Sequence, residues 1–272
     1  MTRRSRRRKK GQAGTIVAAV ALGILSVAML AGFGWMWSRS GKGQIDASTN
    51  CPLDGPTSLT AVLIDATDPI SATTIADLKN EFRKTIGRVE PGGYVRIYTL
   101  NSAPGDLTVM FDGCNPGDGS TVDSWTNNPA RRQKKWEDAF GDPLSKLPDE
   151  IPNGDSASQS PIMAGIQKIK LSLFDSSLAK QDSAKRLVVA SDMIEHTSLY
   201  SQYRSGLDYQ RYLNSAADRT YGTSLDGVSV TILYIDRTKK PFQTLDHAEF
   251  WTQWVQNHHG EFEKLVRLEG LN

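Results

Sequence analysis

The chain has 272 residues, enough for one large domain with an appendage or for two small domains. Its formal net charge of +2 conceals an uneven distribution: seven of the 32 basic residues (Arg3, Arg4, Arg6, Arg7, Arg8, Lys9 and Lys10) crowd the first ten positions, leaving a mildly acidic body. A nucleic-acid-binding domain would spread Lys and Arg over a folded face, so no nucleic-acid partner is expected.

Residues 15–37 run for 23 positions without a charge, long enough to cross a bilayer core of about 30 Å. Trp35 and Trp37 stand at the far end, where amphipathic rings favour the headgroup layer. The basic cluster ahead of this run predicts a cytoplasmic N-terminus over 1–14 and a translocated remainder. A cleaved signal peptide is the rival reading. It needs a shorter apolar region and a small-x-small cleavage site, and Gly34-Trp35-Met36-Trp37 offers no good one. The expectation is a single-pass protein of a bacterial inner membrane, held in the lipid by one helix, with its C-terminal part periplasmic or extracellular.

Residues 38–54 form a polar stalk. Cys51 and Cys114 are the two cysteines of the chain. An oxidising compartment favours one disulfide between them, two free thiols being the alternative.

From there strands and helices alternate. Residues 59–64 are continuously apolar and β-branched, as strands buried on both faces are. Thr74 and Asp77 resemble a helix-capping pair, and Ile75, Leu78, Phe82, Ile86 and Val89 make one apolar face before Pro91-Gly92-Gly93. Residues 94–100 and 107–111 flank the turn Ala103-Pro104-Gly105-Asp106 and predict an antiparallel hairpin. Residues 128–147 predict a charged helical insert around Arg131, Arg132, Lys134, Lys135 and Trp136, either solvated or phosphate-binding. Ser160-Pro161 predicts a helix start with Pro at the first position and Ile162, Ile166, Ile169 and Leu173 as its buried stripe. Residues 187–190 and 228–235 are further strands, and 199–213 is expected to be helical. Residues 245–268 predict one long closing helix with Trp251, Trp254, Val255, His258, Phe262 and Leu265 on one side. The pattern indicates an α/β domain of three layers, doubly wound on a mainly parallel sheet with one antiparallel edge hairpin.

Two strands end in acids: 59–64 runs into Asp65-Ala66-Thr67-Asp68, and 187–190 into Ser191-Asp192. Ligands of open α/β sheets bind beyond the carboxyl ends of strands, and carboxylates with hydroxyls there suit a hard cation such as Mg²⁺. Over residues 55–270 the arrangement resembles a von Willebrand factor A-type domain. That family carries an adhesion site reading Asp-x-Ser-x-Ser after the first strand, with a hydroxyl from a middle loop and an Asp after the fourth strand. By this resemblance Asp65 matches the leading Asp, Thr67 the first Ser, Ser160 the middle-loop hydroxyl and Asp192 the final Asp. Pro69 stands at the second Ser and offers no ligand atom, so Asp68 or Ser71 is the substitute oxygen. The resemblance implies Mg²⁺ held by Asp65, Thr67, Ser160 and Asp192, with its open position accepting a carboxylate from a partner protein.

Other groups carry weaker signals. His258-His259 with Glu261 fits packing better than chemistry, since His258 lies on the apolar stripe. Glu195-His196 falls near the same rim, and Asp236, which also ends a strand, either lines that rim or pairs with Arg237 or Lys239. No nucleophile elbow, phosphate loop or dinucleotide fingerprint occurs. The expected function is a membrane-anchored protein-binding module, an adaptor or subunit of an envelope complex. The alternatives are a metal-assisted phosphohydrolase and a structural subunit whose metal site has decayed.

Overall fold

The structure, a computed structural model, describes residues 12–40, 45–46, 48–122, 128–151, 157–237 and 240–268. The basic cluster at 3–10, part of the stalk and Lys239 lie outside the described residues. Contacts divide the chain into two units, Met1–Gln44 and Ile45–Asn272.

The first unit holds helix α1 (Gln12–Ser40), whose stretch Ile16–Met36 is long and apolar enough to cross a membrane. Leu22, Leu25 and Leu30 are all exposed, so apolar side chains on this helix lack protein cover. A helix apolar all round and uncovered by protein is matched to lipid.

The second unit is built on six strands: β1 (Ser58–Asp65), β2 (Tyr94–Leu100), β3 (Leu107–Cys114), β4 (Ala184–Ser191), β5 (Val228–Ile235) and β6 (Glu261–Leu268). They lie in the order β3-β2-β1-β4-β5-β6, parallel throughout except for β3, which pairs antiparallel with β2 at one edge. The expected doubly wound sheet with an edge hairpin is borne out. Alternate side chains of the central strands enter two separate cores. Leu59, Ala61, Leu63, Leu187 and Val189 meet Ile162, Ile166, Trp251 and Trp254 on one face. Val62, Ile64, Val188 and Ala190 meet Leu78, Phe82, Ile86, Phe140, Leu144 and Leu147 on the other.

Helix α2 (Ala72–Gly87) begins earlier than the Thr74 capping pattern predicts. Ser71 is the cap, its Oγ accepting from the Thr74 amide at 3.1 Å, and Thr74 itself is buried. The insert forms α3 (Pro129–Trp136), a wide turn and α4 (Asp142–Lys146). Its bases Arg131, Lys134 and Lys135 are exposed, while Phe140, Leu144 and Leu147 pack into the core. Helix α5 (Ile162–Ile169) buries the expected stripe, but Ser160 does not cap it: Pro161 stands at the cap position, and Glu195 accepts from the Met163 amide at 2.9 Å.

Two expectations are corrected. Residues 199–213 are not one helix: α6 (Gln202–Ser205) stops at Gly206, whose φ is +65°, before α7 (Tyr209–Leu213) and α8 (Ala216–Tyr221). The closing helix α9 (Thr244–Asn257) ends before His258, whose ring stacks on Trp254 at 4.2 Å. His259, at φ +62°, and Gly260 turn the chain into β6, so Phe262 and Leu265 belong to an edge strand. A disulfide joins Cys51 to Cys114 across a Cα separation of 4.8 Å, tying the segment before β1 to the end of β3.

Candidate functional site

The strand order reverses between β1 and β4: the chain winds from β1 toward β2 in one direction and from β4 toward β5 in the other. Such a switch point opens a crevice beyond the carboxyl ends of the two strands. Ile64 pairs with Ala190, which sets Asp65 beside Ser191 at that edge.

Asp65 is 5% exposed and accepts hydrogen bonds at both oxygens. Its Oδ1 takes the Thr67 amide at 3.0 Å and the Thr67 hydroxyl at 2.6 Å, the turn an Asp at a strand end makes with the residue two further on. Its Oδ2 takes the Ser160 hydroxyl at 3.1 Å and the Ser191 hydroxyl at 2.7 Å. Ser160 is held there by paired backbone bonds with His196, 2.9 and 3.0 Å long. Three segments distant in sequence thus donate to one buried carboxylate.

Asp192 is also buried. Its Oδ1 accepts from the Ile194 amide and its Oδ2 from the Arg237 Nε, each at 3.0 Å. Burial, followed by the charge of Asp65, pushes the Asp192 carboxyl up to about 6, against the opposing pull of the Ile194 amide and Arg237. Met193 next to it has φ +61°, a left-handed conformation that L residues seldom adopt. The Ser191 hydroxyl fixes that turn by accepting from the Met193 amide at 2.8 Å.

The structure therefore brings Asp65, Thr67, Ser160 and Asp192 into one cluster. Asp68 is half-buried on the same loop, and burial, then the charges of Asp192 and Asp68, disfavour ionisation of Tyr203. Ser71 is spent as a helix cap. His196 bonds the Ser201 hydroxyl through Nδ1 at 2.8 Å and stands beside the cluster through its backbone. Asp236 pairs with Lys240 and with Arg267, rather than with Arg237.

Sequence reasoning missed Ser191 and Arg237 as members of the cluster. The Ser-Asp pair closing β4 was the available signal for Ser191. Arg237 had none, because its contact with Asp192 comes from the folding of β5 beside β4. It also missed the layer beneath. Glu195 is fully buried, and burial pushes its carboxyl up to about 8. The Gln202 Oε1 accepts from the Glu195 amide at 2.8 Å and lies 3.1 Å from the His247 Nε2, while the His247 Nδ1 is 3.0 Å from the Tyr234 hydroxyl. The Trp251 Nε1 lies 3.0 Å from the same His247 Nε2 and donates to the Met193 carbonyl at 2.7 Å.

The donor chemistry fits a hard cation only in part. Thr67 and Ser160 give their hydroxyl protons to Asp65 and keep oxygen lone pairs for an ion. Yet Arg237 already pairs with the Asp192 Oδ2, and its Nη1 donates to the backbone carbonyl of Pro69 at 2.5 Å. Among the described residues no group of three or more His, Cys, Asp or Glu side chains stands ready to hold a metal. While Arg237 is seated, these residues do not make a complete Mg²⁺ site.

No protein-family model and no curated protein matches the sequence. Solved structures do show likeness. BatB, a conserved hypothetical protein from Bacteroides thetaiotaomicron, is 12% identical over 79% of this chain and 92% of its own, with a TM-score of 0.39. An aerotolerance-related membrane protein from Bacteroides fragilis is 13% identical over 78% of this chain and 92% of its own, at 0.37. A von Willebrand factor type A protein from Catenulispora acidiphila is 10% identical over 78% of this chain and 39% of its own, at 0.40. Likeness at this level adds nothing to the strand order as evidence of function.

Proposed function

We propose that the chain is a membrane-anchored protein-binding module of von Willebrand factor A-like type, with the switch-point rim as its docking face. The observation that carries this reading is the convergence of Thr67, Ser160 and Ser191 on buried Asp65, with Asp192 and Arg237 alongside. A polar cluster drawn from separate loops to the crevice of a doubly wound sheet is how such folds build a binding site. The three rim hydroxyls share one carboxylate, and among the described residues none of them is bonded to a His or Lys side chain that could relay its proton. Docking fits this arrangement better than hydrolysis. The partner group that fits is a carboxylate, which can accept from the outward part of the Arg237 guanidinium. The apolar stretch Ile16–Met36 supplies the anchor, with the docking unit on the translocated side of a bacterial inner membrane.

A second reading, Mg²⁺-dependent docking, is favoured by the lone pairs left on Thr67 and Ser160. The test uses the full chain in native membranes. Partners that co-purify with the wild type should be lost from Arg237→Gln, and kept by a control variant of the exposed insert, Lys134→Ala with Lys135→Ala. Equal capture by both variants would sink the docking face. Repeating the capture in chelator separates the two readings.

A further inference from the structure

We infer that Arg237 is the resident cation of the rim: its guanidinium occupies the place between the β1 loop and the acid after β4 that a metal ion would take, and it closes the site to Mg²⁺. The cation assignment stands on geometry alone; only the consequence for docking rests on the proposed function.

The first argument is position. One guanidinium reaches both halves of the cluster, with Nε on the Asp192 Oδ2 and Nη1 on the Pro69 carbonyl. The Pro69 side chain has nothing to offer a cation. Its backbone oxygen is free to accept, and Arg237 uses it.

The second is saturation. Both oxygens of Asp65 and both oxygens of Asp192 already receive donors within the chain. Mg²⁺ demands near-octahedral oxygen coordination and gives up its waters reluctantly. To enter, it would have to break the Arg237–Asp192 pair and then sit beside the displaced guanidinium, a like-charge neighbour.

The third is charge. Asp65 and Asp192 are both buried at the ends of neighbouring strands, and carboxylates gathered at one buried edge call for a positive charge alongside. Arg237 supplies that charge permanently, because a guanidinium does not deprotonate in proteins. Its side chain is 27% exposed, and the hydrogen bonds it makes run from Nε and Nη1. Part of the fork thus remains available to an incoming acceptor. In this arrangement the docking proposed above proceeds without metal.

The experiment uses the purified full chain in detergent, with Mg²⁺ or Mn²⁺ as the probe. The wild type should give no binding heat by calorimetry and the same Tm in MgCl₂ as in EDTA, since an ion bound by the folded state alone must raise Tm. Arg237→Ala should melt lower than the wild type in EDTA and regain part of the loss in Mg²⁺. Arg237→Lys, which keeps the charge without the two-point fork, should fall between them. A Tm rise with Mg²⁺ in the wild type would overturn the inference, as would an Arg237→Ala protein as stable in EDTA as the wild type. Should Arg237→Ala fail to fold, the wild-type titration and Arg237→Lys still decide. The two proposals fail separately. Wild-type binding of Mg²⁺ with metal-dependent partner capture removes the cation assignment and leaves docking. Absence of any rim-dependent capture, with the metal titrations as expected, removes docking and leaves the assignment.

Discussion

The Ser191 hydroxyl donates to the Asp65 Oδ2 at 2.7 Å, a side-chain link between the ends of the two strands where the sheet reverses direction. That link makes Asp65 a structural acceptor as well as a rim residue. Removing its carboxylate strands the hydroxyls of Thr67, Ser160 and Ser191 together, and a buried polar group left unpaired costs about 1–3 kcal/mol. Asp65→Ala should therefore destabilise the domain by about 2–4 kcal/mol, and Ser191→Ala by about 1 kcal/mol, in urea unfolding. Equal effects of the two substitutions would show that Asp65 does not gather the three segments.

Glu195 sets the alkaline limit of stability. Unfolded, a glutamate ionises near 4.5, whereas burial holds the folded Glu195 proton to about 8. The folded state keeps an extra proton between those values, so this stability is complete below the lower value and lost as pH rises through the upper. His247 has the opposite sign. Burial lowers it from 6.5 to about 3, so its contribution is complete above 6.5 and lost as pH falls through 3. Asp192, raised to about 6, has the sign of Glu195 but finishes its change at lower pH. Between about pH 6.5 and 8, where Asp192 and His247 have finished their changes, the urea midpoint should fall with pH in the wild type and flatten in Glu195→Gln, which removes the ionisation. A slope in Glu195→Gln as steep as in the wild type would assign the alkaline loss to other groups.

Much of this architecture was legible because buried strands announce themselves. Residues 187–190 are continuously apolar, and 59–64 and 228–235 are interrupted only by Thr60, Ser229 and Thr231, as suits strands covered on both faces. The acids that follow two of them pointed to the switch point. Strand β6 was misread for a physical reason. A bulge opposite Val230 and Thr231 places Phe262 and Lys264 in register with consecutive residues, which disrupts the two-residue alternation. The resulting three-residue step from Phe262 to Leu265 imitates a helix. Ser160 looked like a helix cap because Ser commonly is one, and its tertiary acceptor, Asp65, lies far away in sequence. In the sequence Arg237 and Lys239 are equally placed to pair with Asp236, and only the fold reveals that Lys240 and Arg267 occupy that acid.

The Cys51–Cys114 bond, spanning 63 residues, fastens edge strand β3 and the segment before β1. Cross-linking a loop of that length restricts the unfolded chain by about 4 kcal/mol in the loop-entropy account. Cys51→Ser with Cys114→Ser should lower unfolding stability by about 2–4 kcal/mol, and reductant should do the same to the wild type while leaving the double variant unchanged. A wild-type midpoint indifferent to reductant would show that the bond carries no stability.

The turn between α9 and β6 decides whether the last strand docks, and two adjacent residues there should respond in opposite directions. A Cβ built on Gly260 would lie 2.9 Å from the Val255 Cγ1 and 3.0 Å from the Leu225 Cβ, both in the packed layer under the turn. Neither atom can move freely, because Val255 and Leu225 are buried in the core. Gly260→Ala should cost about 1–3 kcal/mol, the usual penalty for overpacking. His259 holds φ +62°, which glycine adopts without the steric cost borne by other residues, so His259→Gly should lose little stability or gain up to about 1 kcal/mol. Hydrogen exchange locates the effect: in Gly260→Ala the amides of β6 should lose protection before those of β1, since β6 is the edge strand and pairs with β5 alone. Uniform loss across the sheet would mean that the turn is part of the global folding unit and does not act as a local latch for β6.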